Sequence, residues 1–337
     1  MKKIKIAQIG AAHLHAPASY KTILKQSDIF EFVGFAVPED EQKESVPFYR
    51  HRKNEITHTV DEIFSIPDLD AVAIDVSEKN LSKYALMAVE KGLHVYMDKP
   101  GGSDPEEFER LIAAVKKSGK VFHLGYMYRY NPAFVELLEK VRRGDVGDVF
   151  SIDAQMSCYS SREIREWLGE LPGGMMYNLG CHLVDMILQV QGIPEEVVPL
   201  NASTGYDGVN SKDLGLAALI YKNGVSTVKT CAIERGGFVR RQFVVCGTKG
   251  TFEIRPIERN ATDGHDNSQL CTDVYETYSD AWVTVPEMHT TEVYDRYGEM
   301  FSSFAAEIRG ERENPYTPDY ELTLYRTLMK CCGVTQK

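Results

Sequence analysis

The residues best suited to chemistry fall in three short stretches. In Gly92-Leu93-His94-Val95-Tyr96-Met97-Asp98-Lys99-Pro100, an acid and an amine stand directly before a proline. Pro100 lacks a backbone donor and biases Lys99 away from helical angles, so a strand ending here would stop with its side chains presented. An amine held there can hydrogen-bond a substrate oxygen and stabilise negative charge developing on it. In Gly173 to Asp185, glycines precede a helical pattern in which Asn178 and His182 are four apart and share a face. Asp185, three residues on, can share that face and orient the imidazole, whose ordinary pKa suits proton transfer to or from an alcohol. The third stretch follows Gly10, where His13 and His15 are two apart. On a helix they would not share a face, and with no spaced ligand set elsewhere the expectation is no metal. Taken singly, Asp98-Lys99 reads as a solvated loop pair and His182 as a packed helix histidine.

The elements that must position these groups follow from periodicity and punctuation. Lys5 to Gly10 reads as a buried strand running into a turn, followed by a helix to about Gln26. Strands are expected at Phe30–Val37, Leu69–Asp75, Leu93–Met97 and Val121–Gly125, with helices at Leu81–Lys91 and after Asp104. The last has Phe108, Leu111, Ile112 and Val115 at helical spacing behind capping residues. Alternation of this kind means βαβ units and a doubly wound parallel sheet, whose carboxyl edge binds ligands. After about Gly125 the pattern changes to a helix Phe134–Arg143, a long alternating strand from Val149, one helix between Pro172 and Gly192, and two hairpins. Their turns are Lys222-Asn223-Gly224 and Gly247-Thr248-Lys249-Gly250. Helices are expected at Tyr294–Gly310 and Asp319–Cys332. Residues 256–290 are polar and resist placement, with His265 a candidate cleft residue there. The expected division is a dinucleotide-type domain over 1–125 and an α+β domain with a mostly antiparallel open sheet over 126–337.

Composition narrows the function classes. The chain has 337 residues, 43% of them hydrophobic and 26% charged, which suits two globular domains with sizeable cores. A net charge of -11 argues against nucleic acid and anionic membranes. No apolar run approaches a membrane span, and Met1-Lys2-Lys3 leads straight into a strand, so a cytoplasmic protein is expected. Seven scattered cysteines without a CxxC pair fit free thiols in a reducing compartment.

Five features in chain order resemble the glucose–fructose oxidoreductase/inositol dehydrogenase/MocA family of nicotinamide-dependent oxidoreductases. They are the strand-turn at Gly10; Gly92 to Pro100, like G-[KH]-H-V-x-x-E-K-P with Asp98 for glutamate; and Gly125 to Pro132, like G-[FY]-x-x-R-[FY]-x-P. The others are Gly173 to Asp185, like G-G-G-x-x-x-D-x-G-x-H-x-x-D, and the Gly247-Thr248-Lys249-Gly250 hairpin. The resemblance implies a Rossmann domain followed by a substrate-binding and oligomerisation domain. It implies hydride transfer between NAD or NADP and a secondary hydroxyl of a sugar, polyol or cyclitol derivative, in a homo-oligomer such as a dimer or tetramer. Catalysis would fall to Lys99, His182 and Asn178; cofactor contacts to Gly10, Ala12, His13, Val37, Ser77, Asp98 and Lys99; substrate contacts to Tyr126, Arg129, Trp167 and Asp185. Arg129 and Trp167 are equally suited to packing between domains.

The departures from the family fall mainly on cofactor contacts. Ala12 and His15 replace the second and third glycines of GxGxxG, and Ala12 adds a methyl where a pyrophosphate comes closest. Val37-Pro38-Glu39-Asp40 lacks an acid in the usual ribose position, although Glu39 can reach it from a shifted loop. No arginine is nearby, which leans toward NAD. Val76-Ser77 stands in place of a Thr-Pro pair, and Asn178 in place of aspartate. Two rivals therefore accompany the dehydrogenase reading: a non-redox glycosidase or lyase that retains NAD, and a non-catalytic sensor.

Overall fold

A computed structural model describes residues 2–262, 264 and 266–334; His265 lies outside the described residues. The chain divides into two compact units, Met1–Tyr126 with Tyr297–Leu322, and Met127–Arg296 with Thr323–Lys337.

The first unit is built on five parallel strands: β1 (Ile4–Ile9), β2 (Phe30–Ala36), β3 (Ala71–Ile74), β4 (His94–Met97) and β5 (Phe122–Leu124). Their order is β2-β1-β3-β4-β5, all pairs parallel. Every residue of β3 is fully buried, as expected of a central parallel strand covered on both faces. The chain moves outward from β1 to β2 and then crosses back to β3, so the order reverses beside β1. A doubly wound sheet opens its ligand crevice at the carboxyl ends of the strands at such a switch point. Gly10, Asp75 and Asp98 each follow the end of one of these strands.

Sequence and structure agree on most elements here. The helix Pro105–Ser118 is capped by Asp104, whose carboxylate accepts from the Glu106 and Glu107 amides, and it buries Phe108, Leu111, Ile112 and Val115. The helix expected from Tyr294 runs over Gly298–Ile308 and belongs with the first unit, not with 126–337 as the sequence reading has it. Its Phe301 packs on Tyr96 at 4.6 Å between ring centroids, and Glu307 lies 3.1 Å from His123 Nδ1. These aromatic contacts fasten it to β4 and β5.

The second unit is an eight-stranded sheet. In chain order it comprises β6 (Val149–Ser157), β7 (Glu196–Pro199), β8 (Leu214–Tyr221), β9 (Gly224–Cys231), β10 (Gln242–Gly247) and β11 (Thr251–Ile254). A two-stranded ladder, β12 (Arg259–Asn260) with β13 (Leu270–Cys271), precedes the last two sheet strands, β14 (Asp273–Thr277) and β15 (Glu287–Thr290). The sheet order is β15-β14-β11-β10-β6-β9-β8-β7, and only the β6–β9 pair is parallel. Both expected hairpins form, and β8 alternates buried with half-buried residues, the signature of a sheet covered on one face. The stretch 256–290 thus supplies four short strands whose polar sequences hid them.

The single helix expected between Pro172 and Gly192 is two pieces. Met176–Gly180 is a π-helical turn, and the α-helix starts at Cys181 and ends at Gln191. The glycines before it fix the entry. Gly173 and Gly174 have φ of 75° and 58°, and a Cβ on either would fall 2.5 Å from Cys332 or 2.4 Å from the Lys212 carbonyl oxygen. Only glycine meets both demands.

Candidate active site

In the first unit, the turn after β1 brings four ionisable side chains together. Gly10 has φ of 105°, and a Cβ there would lie 2.3 Å from the Val76 nitrogen, so the turn packs directly on the end of β3. The His13 amide donates to the Asp75 carbonyl at 3.1 Å, which turns its side chain inward. The helix begins only at Ala16, so the helical spacing argument against His13 and His15 acting together does not apply. Both imidazoles reach Asp98: His15 Nδ1 lies 3.0 Å from Oδ1 and His13 Nδ1 3.3 Å from Oδ2. Three groups that can each offer a metal ligand thus converge here. Asp75 sits alongside, fully buried, with Ser19 donating to its Oδ1 at 3.1 Å.

Electrostatics sorts these groups. Burial and the neighbouring Asp98 push Asp75 well above the usual carboxylate range. Burial opposes ionisation of Asp98 too, but the two imidazoles outweigh it and hold Asp98 well below that range. For His13, Asp98 and Glu78 overcome the burial penalty and raise its pKa, whereas burial dominates at His15 and lowers it to about 4. Lys99 is buried beside them. Its backbone amide donates to Asp98 Oδ1 at 2.7 Å, and its carbonyl lies 3.1 Å from His13 Nε2. The main chain of Lys99 is therefore fixed from both sides.

A cavity of about 540 Å³ opens beyond the end of β2, lined by Val37, Glu39, Gln42, Thr57, Lys83 and Tyr84 among others. That volume lies within the range of small-molecule pockets. Glu41, which the sequence reading passed over, turns inward: its carboxylate accepts from the Ser77 amide at 3.1 Å, from the Ser77 hydroxyl and from Asn80 at 2.7 Å. No motif marks it. Of the expected cofactor residues, Gly10, His13, Ser77, Asp98 and Lys99 lie at the carboxyl ends of β1, β3 and β4. Ala12 is half-buried on the first turn, and Val37 lines the cavity. A nucleotide fits the cavity and the tight turn at Gly10, while the rest of the first turn is occupied by imidazoles where a glycine-rich loop leaves space.

In the second unit, His182 lies in the first turn of the helix Cys181–Gln191, buried, with Tyr128 packed edge-on at 5.0 Å. Tyr128 donates to Glu258 at 2.7 Å, and Arg296 reaches the same carboxylate at 2.9 and 2.7 Å. Burial and Glu258 raise the Tyr128 pKa, which keeps the phenol protonated. Asn178 is buried in the π-turn, so its relation to His182 is not that of two residues four apart on an α-helix. Arg129 grips Asp185 in a bidentate pair, both contacts at 2.9 Å, and Gln189 adds a third at 3.0 Å. The Asp185 carboxylate, expected to orient the imidazole, holds Arg129. Trp167 is half-buried against a cluster of Leu168, Met175 and Ala232. Tyr126 is buried at the end of the first unit. Among the described residues no helix is long and apolar enough to cross a membrane.

Comparison with known proteins supplies the lineage. Residues 4–126 match the Oxidoreductase family, NAD-binding Rossmann fold, and residues 134–253 match the GFO/IDH/MocA C-terminal domain. An uncharacterized oxidoreductase of Escherichia coli, YhhX, is 26% identical over 271 residues, 77% of this chain and 76% of that one. A 1,5-anhydro-D-fructose reductase of Ensifer adhaerens is 24% identical over 245 residues, 68% of this chain and 73% of that one. The fold is shared with an aldose-aldose oxidoreductase from Caulobacter crescentus, solved with glycerol: TM-score 0.77, 18% identity, covering 99% of this chain and 97% of that chain. The first unit is an NAD-binding Rossmann fold, the open-sheet unit is its characteristic companion, and the chain belongs to the GFO/IDH/MocA family of oxidoreductases.

Proposed function

We propose that the protein is a nicotinamide-dependent dehydrogenase or reductase interconverting a secondary hydroxyl and a ketone on a sugar, polyol or cyclitol derivative. The observation that carries this reading is Lys99, an amine buried at the carboxyl end of β4 with its backbone held by Asp98 and His13. The sugar-type names of relatives support the substrate class. The cofactor, when bound, supplies or accepts a hydride. The residues lining the Val37–Lys83 cavity and the turn at Gly10 would hold it. Three carboxylates, Glu39, Asp61 and Glu62, line that cavity against one lysine and one histidine, which disfavours a 2′-phosphate and supports NAD. Lys99 donates to the substrate oxygen and stabilises alkoxide charge. His182 accepts the hydroxyl proton at its imidazole, and Asn178 positions a hydroxyl without exchanging a proton. A homo-oligomer belongs to the same proposal, tested by light scattering.

Calorimetry with NAD, NADH, NADP and NADPH, followed by a polyol and sugar screen for NADH production, tests the reading. Micromolar binding of the NAD pair is expected, with binding of neither pair the result that would overturn it. His182→Gln should lower kcat by about 10²–10⁴-fold with cofactor affinity within about threefold. Equal turnover in that variant would remove His182 from the chemistry.

A further inference from the structure

We propose that His13, His15 and Asp98 form a binding site for a divalent transition-metal ion at the end of β4. One ring nitrogen from each histidine and a carboxylate oxygen lie within 4.8 Å of one another. The separations from carboxylate to imidazole are 3.0 and 3.3 Å. The two contacts are to different oxygens of Asp98, Oδ2 for His13 and Oδ1 for His15, and compare with about 3.3 Å between adjacent ligand atoms in tetrahedral coordination at about 2.0–2.1 Å.

The hydrogen-bond directions single out this cluster. His13 Nε2 faces the Lys99 carbonyl at 3.1 Å and Glu78 at 3.5 Å, two acceptors, so this nitrogen carries a proton. His13 Nδ1 then carries the ring's one in-plane lone pair, which accepts from the His15 amide at 3.2 Å and which a metal would take over. Facing it is Asp98 Oδ2, a fully buried oxygen with no hydrogen-bond partner. The Asp75 carboxyl lies against Asp98, and the hydrogen bond between the two contributes to its raised pKa. The His13 Nδ1 lone pair and the Asp98 carboxylate thus face one another across 3.3 Å, and something positive belongs between them. The groups behind the site match a metal's outer shell. A ligating histidine usually donates its second ring nitrogen to a backbone carbonyl or carboxylate, as His13 does to Lys99 and Glu78. Two imidazoles and a carboxylate with open positions suit Zn²⁺, Co²⁺, Mn²⁺ or Fe²⁺ in preference to Ca²⁺ or Mg²⁺. Exchange with solvent is available through His15, whose side chain is 17% exposed while those of His13 and Asp98 are fully covered.

The competing occupant is a proton on His13. The two are separated by stripping the full-length protein with chelator, reloading with Co²⁺, and measuring bound metal by mass spectrometry together with the visible absorption of the ion. The expected result is one equivalent retained after gel filtration, with ligand-field bands. Retention should fall at least tenfold in His15→Ala and, as a second variant with an isosteric side chain, in Asp98→Asn. It should stay at one equivalent in Glu276→Gln, which alters a separate group of Glu136, Glu276 and His289. No retained cobalt in folded wild-type protein would overturn the proposal. So would retention that survives His15→Ala and Asp98→Asn but is lost in Glu276→Gln.

Discussion

Replacing one carboxyl oxygen of Asp185 by an amide nitrogen would remove the carboxylate charge that the buried Arg129 guanidinium faces inside the second unit. Both Nε and a terminal nitrogen of Arg129 donate to that carboxylate, and neither residue is more than 3% exposed. Breaking a buried pair from one side costs about 3–5 kcal/mol, whereas replacing both partners by apolar residues of similar volume is often near neutral. Asp185→Asn should therefore lower unfolding free energy by that amount in urea denaturation, and Arg129→Met with Asp185→Leu should recover most of it. A loss below about 1 kcal/mol in the single variant would mean the pair is not structural. The same contrast explains what was legible residue by residue. Lys99, His182 and Gly10 stand out in the sequence because each is tied to a neighbouring proline, glycine or strand end, which constrains the backbone locally. The Arg129–Asp185 pair, Asp75 and Glu258 have partners far away in the chain and carry no local mark. His13 and His15 stand out by their spacing, but helical periodicity does not apply to them, because the helix starts one residue after them.

At the level of elements, β4 carries a consequence for acid stability. His94, its first residue, accepts the Val121 amide at Nδ1 over 3.0 Å, joining β4 to the start of β5. Burial, then the nearby Lys120, pushes its pKa down to about 4, below the ordinary value near 6.5. The unfolded chain therefore binds a proton that the folded chain refuses. Stability from this source is intact above pH 6.5 and is lost as pH falls from there toward 4. Allowing for partial exposure, the loss amounts to about 1–2 kcal/mol. Denaturation midpoints at pH 7.5, 5.5 and 4.5 should show this slope, and His94→Asn, which keeps an acceptor but cannot ionise, should flatten it. An unchanged slope in the variant would assign the acid sensitivity elsewhere. A second element makes a smaller claim: Asp104→Ala removes the acceptor for two amides at the start of Pro105–Ser118 and should cost about 1 kcal/mol. Elements such as that helix were fully legible, since cap, proline and apolar spacing agreed. The π-turn at Met176–Gly180 was not, because an extra residue per turn leaves composition unchanged and shows only in the backbone hydrogen bonds.

At the scale of the whole molecule, the sequence pattern changes near Gly125, beside the break between the two units at Tyr126, but the sequence gives no sign that the chain returns to the first unit at Tyr297. That return rests on contacts spanning some two hundred positions. Phe301 packs on Tyr96 at 4.6 Å and meets Phe30 at 6.2 Å; Phe304 lies 5.7 Å from His123; Gln26 donates to the Gly298 carbonyl at 2.8 Å; and Asn314 donates to the Phe122 carbonyl at 3.1 Å. Without these residues Tyr96, wholly covered in the protein, and one side of β4 and β5 would face water. Burial of one large aromatic is worth about 1.5–3 kcal/mol, and an aromatic pair adds about 0.5–1.5 kcal/mol, against a typical domain stability of about 5–15 kcal/mol. Residues 1–126 alone should therefore lack a cooperative thermal transition, whereas the same segment joined through a Gly/Ser linker to 297–322 should regain one. Within the full chain, Phe301→Ala should cost about 3–5 kcal/mol, and its effect should appear in the first unit's core, read by hydrogen exchange at β4 and β5 rather than across β8 and β9. A 1–126 fragment that melts cooperatively at the temperature of the linked form would show that the returning helix is an ornament, and the boundary near Gly125 would then describe an independent folding unit.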